Sequence, residues 1–94
     1  MLVELVELRK RNDGAYYLSK IYVNPKHIIY VSEDRQTTTL MREGNSGLGL
    51  VKGATFSKIK IDEGNQPNNI IVVGDPSSIE HKIFKKSNRQ ILRG

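Results

Sequence analysis

Residues 2–23 read LVELVELRKRNDGAYYLSKIYV, and the turn in the middle of this stretch decides the fold. The apolar residues of Leu2 to Arg9 suit either a strand or one short helical stripe, so periodicity alone leaves both readings open. Asn12-Asp13-Gly14 resolves it. Gly accepts a positive φ, and Asn and Asp side chains bond their own backbone, so this triplet turns the chain sharply. Ala15 to Val23 follows with three Tyr, one Ile and one Val, residue types that pack well on a pleated surface. Two β-favouring runs around a tight Gly turn predict a hairpin.

The rest of the chain extends this pattern. Asn24-Pro25 interrupts it, because Pro donates nothing to a ladder. His27 to Glu33 alternates, with Ile29 and Val31 on one face and Ile28 and Tyr30 on the other. Asp34-Arg35 then reads as a turn and Thr37 to Met41, with three consecutive Thr, as the returning strand of a second hairpin. Residues 44–53 hold four Gly (Gly44, Gly47, Gly49 and Gly53) and read as a loop or bulged strand. In Thr55 to Asp62, Ser57, Ile59 and Ile61 alternate with Phe56, Lys58 and Lys60, the pattern of a half-buried antiparallel strand. After a turn cluster around Gly64 and Pro67, Ile70 to Val73 reads as a buried strand.

One helix is expected, at the C-terminal end. Asp75 is suited to the N-cap and Pro76 to the first helical position. Ile79, Ile83 and Phe84 form a stripe able to dock on a sheet, and the chain is expected to leave the helix after Ser87-Asn88. These elements predict a β-rich α+β fold: about six mainly antiparallel strands forming a small barrel or curved sheet, with one C-terminal helix. Residues 1–86 would form a single globular domain and residues 87–94 a basic C-terminal tail.

Composition agrees with one small domain. Of 94 residues, 37% are hydrophobic and 27% charged, and ten Ile, eight Leu and seven Val suffice for one modest core. The longest uninterrupted apolar run, Ile70 to Val73, is far shorter than the roughly 20 residues of a membrane span or the roughly 7–15 of a signal peptide core. There is no Cys, which excludes disulfides and thiolate metal sites and points to a cytoplasmic setting.

Charge is unevenly placed. Residues 1–80 carry ten basic and ten acidic side chains, so the net charge of +5 lies wholly in residues 81–94, on Lys82, Lys85, Lys86, Arg89 and Arg93. A second basic run is Arg9-Lys10-Arg11. Such clusters offer a positive field to phosphates or another acidic partner. The helical lysines would also complement the negative end of the helix dipole and keep the surface solvated.

Catalytic and cofactor patterns do not emerge. Gly44-Asn45-Ser46-Gly47-Leu48-Gly49 lacks the spacing of a dinucleotide fingerprint, and Lys52-Gly53-Ala54 lacks the Lys-Ser or Lys-Thr of a phosphate loop. His27 and His81 lie in different elements, neither at metal-ligand spacing. No cofactor, metal or enzymatic activity is therefore expected, and a small enzyme is the weakest of three readings. The first is a non-enzymatic interaction module that self-associates or docks on a larger complex, since a small β domain must pair, cover or charge its edge strands. The second is a nucleic-acid- or polyanion-binding accessory protein. It uses the basic C-terminus, Arg9-Lys10-Arg11, and a strand face where Tyr16 and Tyr22 lie with Lys20; Tyr17 points the other way, while Tyr30, Lys58 and Lys60 stand on further strands. A sequence pI near 9.6 accords with it.

Overall fold

The computed structural model describes residues 2–43, 53–64 and 66–93, with the backbone alone for residues 63, 66 and 85–93. The fold is α+β. Strands β1 (Val3–Lys10), β2 (Tyr16–Val23), β3 (Ile28–Glu33), β4 (Phe56–Glu63) and β5 (Gln66–Val73) form one open antiparallel sheet in the order β2-β1-β5-β4-β3. Helix α1 (Arg35–Glu43) connects β3 to the segment before β4, and α2 (Pro76–Arg93) ends the described chain. The glycine-rich segment singled out in the sequence lies, except for Gly53, outside the described residues.

The first hairpin forms as its sequence requires. Gly14 has φ 91°, its N–H donates to the Arg11 carbonyl at 3.0 Å, and the Ala15 N–H donates to Asp13 Oδ1 at 3.0 Å. The register runs without interruption from Val3 opposite Val23 to Lys10 opposite Tyr16.

The Thr run folds otherwise than expected: it is the helix α1, so the described residues hold five strands, close to the expected six, and two helices rather than one. The Asp34 carboxylate accepts from the Thr37 N–H at 3.0 Å and the Thr37 hydroxyl at 2.7 Å, which makes Asp34 an N-cap. The buried Thr38 hydroxyl donates to the Asp34 carbonyl at 2.9 Å and accepts from the Phe56 N–H at 3.0 Å. Local side-chain bonds thus outweigh the β preference of Thr. β3 consequently pairs with β4, from Ile28 opposite Ile61 to Glu33 opposite Ser57, with an irregularity between Ile28 and Tyr30. That irregularity replaces the expected alternation: Ile28 and Val31 both pack on the core, while Ile29 is 54% exposed.

The core lies on one face of the sheet. Val3, Leu5, Val23, Ile59, Ile61, Val72 and Ile79 form it, with Ile21, Ile28, Val31, Ile70 and Ile83 packed around them. Ile79 and Ile83 dock as their spacing predicts, whereas Phe84, expected in the same stripe, is 64% exposed. At the β5–α2 junction Gly74 adopts φ 121°, its N–H donates to the Thr55 carbonyl at 2.8 Å, and its carbonyl accepts from the buried Ser57 hydroxyl at 2.7 Å. A Cβ at position 74 would sit 3.3 Å from Ile79 Cδ1, so this turn and the helix anchor are built together. Asp75 caps α2, its carboxylate accepting from the Ser78 N–H at 2.7 Å. The helical backbone continues to Arg93, past the exit expected at Ser87-Asn88. Among the described residues, no helix is long and apolar enough to cross a membrane.

Two outcomes follow from these bonds. Thr38→Val removes the only acceptor described for the buried Phe56 N–H and should destabilise the fold by about 1–3 kcal/mol in urea unfolding, while Thr39→Val, at an exposed position, should leave it near wild type. The Ser78 backbone N–H, and then its hydroxyl, hold the Asp75 carboxyl below its ordinary value of 3.8. Its capping contribution is therefore complete above that pH and lost as pH falls through the lower folded value. Asp75→Asn, which still caps but does not titrate, should remove this part of the acid sensitivity in thermal melts below about pH 4, and Asp75→Ala should lower the melting midpoint at neutral pH by a few degrees.

Candidate functional site

The face of the sheet opposite α2 carries the aromatic and basic side chains. Side chains of directly opposed residues share a face, so the strand registers assign Lys10, Tyr16, Lys20, Tyr22, Tyr30, Lys58 and Lys60 to it. Half-buried Val6, Leu18 and Ile71 lie between them, and buried Leu8 and Phe56 anchor the face. Phe56 sits where α1 packs against the start of β4.

One transverse row stands out. Tyr30 on β3 is opposite Lys60 on β4, and Lys60 is opposite Asn69 on β5. From the other side, Tyr16 on β2 is opposite Lys10 on β1. The pairing of Glu7 with Val72, continued by three residues, brings Lys10 level with Asn69. The row therefore reads Tyr16, Lys10, Asn69, Lys60, Tyr30 across all five strands, a span of about 19 Å at the usual strand spacing. Its two ends are alike: Lys10 Nζ lies 5.4 Å from the centroid of the Tyr16 ring and Lys60 Nζ 5.9 Å from that of Tyr30. Cation–π attraction holds each ammonium over its ring at a gain of about 0.5–1 kcal/mol. Among the described residues no carboxylate pairs with Lys10, Lys58 or Lys60.

The candidates read from the sequence separate into groups. Lys10 and Tyr16 belong to the row. Lys20 and Tyr22 share its face but lie toward the other end of β2, where Glu4 pairs with the Lys20 ammonium at 3.8 Å and accepts from the Tyr22 hydroxyl at 3.3 Å. Tyr22 remains 58% exposed. Arg9 lies on the α2 side of the sheet, opposite Tyr17 and 3.7 Å from Glu7, and Arg11 pairs with Asp13 at 3.5 Å. The basic triplet is thus divided between faces. α2 packs over the opposite side of the sheet, where Lys82 is exposed. Lys85, Lys86, Arg89 and Arg93 are in its helical backbone, and their side chains lie outside the described residues. Tyr30 and Lys60 are legible in the sequence as an aromatic and a basic residue on further strands and Asn69 is not, but only the strand order makes all three neighbours of Lys10 and Tyr16.

His27 stands apart from the row, its Nδ1–H donating to the Asp62 carbonyl at 3.1 Å. Among the described residues no three His, Cys, Asp or Glu side chains gather as metal ligands would. No protein-family model, curated protein or solved structure matches the chain.

Proposed function

We propose that this protein is a non-enzymatic binding module that takes a single-stranded nucleic acid on the sheet face opposite α2. The observation that carries the reading is the Tyr16–Lys10–Asn69–Lys60–Tyr30 row, with an aromatic ring and an ammonium at each end and an amide between. Lysines meet the phosphates, the exposed Tyr30 ring and the half-buried Tyr16 ring stack unpaired bases, and Asn69 offers both a donor and an acceptor to a base edge. A stacking base must displace the lysine lying over the ring. That displacement costs about 0.5–1 kcal/mol, against about 1–3 kcal/mol gained per stacked base, so the exchange favours the ligand. A duplex, whose bases are already stacked, gains only the phosphate part.

Fluorescence anisotropy with single-stranded and duplex oligonucleotides tests this. Tyr16→Ala and Tyr30→Ala should each weaken single-strand binding between about fivefold and a hundredfold and affect the duplex far less. Lys10→Gln and Lys60→Gln should each flatten the slope of log K against log salt by about 0.7. Replacing Lys82, Lys85, Lys86, Arg89 and Arg93 with Gln should lower affinity for both ligands yet leave the tyrosine effect intact. Absence of salt-sensitive binding at low ionic strength, or binding indifferent to the four row substitutions, would refute the proposal.

A further inference from the structure

The sheet is open, and its two edges differ. β2 carries Lys20 and starts just after the polar turn Arg11 to Gly14. β3 reads Ile-Ile-Tyr-Val-Ser-Glu, with neither Lys nor Pro, and among the described residues no strand pairs with its outer side. Among the described residues this edge is uncovered, interrupted by the irregularity between Ile28 and Tyr30, and an uncovered edge is a template for another strand. It borders a groove of about 380 Å³ between β3 and α2, lined by Pro25, Ile28, Val31, Pro76, Ile83 and Phe84, with Glu80 its one charged residue among those described. Phe84 is 64% exposed there, and Ile29 is 54% exposed on the strand itself.

We infer that the protein forms a twofold dimer through β3, joining two five-stranded sheets into one of ten. The occupant is a second copy because β3 complements itself. Lys26 and His27 precede it and Glu33 ends it, so an antiparallel pairing about an axis near Tyr30 sets Lys26 and His27 of each strand beside Glu33 of the other; the Glu33 carboxylate, 3.4 Å from Arg35 of its own chain in an exposed pair that contributes little, gains a second cation there. The same axis brings the Phe84-lined groove of each protomer beside that of its partner, so both exposed aromatic rings leave water together. The inference needs no nucleic acid and stands or falls independently of that reading.

Sedimentation equilibrium on the purified chain should return a mass near 21 kDa, twice the 10.6 kDa of one chain. Ile29→Lys and Phe84→Glu should each raise the dimer dissociation constant at least about tenfold, since each sets a charge in the joint. The chain contains no Cys, so a single introduced thiol can link only to another copy. Under mild oxidation Tyr30→Cys should yield a covalent dimer and Ser19→Cys, on β2, should not; this arm does not depend on the charged variants folding. A monomeric mass at every concentration up to about 1 mM would overturn the inference, as would a dimer that both charged variants leave intact or one linked through Ser19→Cys rather than Tyr30→Cys.

Discussion

A single layer of five strands has two faces, and α2 packs over one of them. Ile79, 2% exposed, belongs to a core cluster that draws side chains from all five strands. Everything else is arranged by this asymmetry. Apolar side chains concentrate under α2, where burying each is worth about 1.5–3 kcal/mol. The other face keeps a thinner apolar centre and gives its periphery to tyrosines and lysines, which combine a packing stem with a polar tip. A binding surface on such a sheet needs no cavity, because the pleat itself sets side chains in rows.

The row depends on strands being in register, and register on this sheet is held at its ends. At one end of β4, the Asp34 N–H donates to the Phe56 carbonyl at 3.0 Å while the Phe56 N–H donates to Thr38 Oγ1. α1 is thereby clamped to the strand that β3 must meet, which sets Tyr30 against Lys60. At the β5 end, Gly74 ties Thr55 and Ser57 to the start of α2. Polar bonds at the strand ends thus align side chains several residues away.

The parts of this fold legible in the sequence are those whose cause is local. The Asn12-Asp13-Gly14 turn, the Asp75-Pro76 helix start and the alternation from Ser57 to Ile61 each state their geometry within a few residues. The Thr run misled because its β preference is an average over contexts, whereas here Asp34 and two hydroxyls offer specific bonds that a strand would forgo. The site was legible in kind, as tyrosines and lysines on strand faces, but not in membership. Lys10 and Lys60 lie fifty residues apart in the chain, and no local pattern states that β5 stands between their strands. Tyr22 and Lys20 illustrate the converse: they share a face with Tyr16 as period two requires, yet Glu4 on the neighbouring strand takes both as partners.

The strand order also governs how the chain can assemble itself. β1–β2 and β4–β5 are hairpins, each closed across a short turn, but the seam between them joins Glu7 to Val72, sixty-five residues along the chain. Closing that span costs on the order of 2 kcal/mol more entropy than closing the β1–β2 turn. β5 comes after β2, β3 and β4 in the chain, so the β1–β2 hairpin can close before the strand that pairs with the free side of β1 has been made. The stretch after β5 is the helix that covers the joined face, so cover and seam are neighbours in the chain although the two strands of the seam are far apart in it.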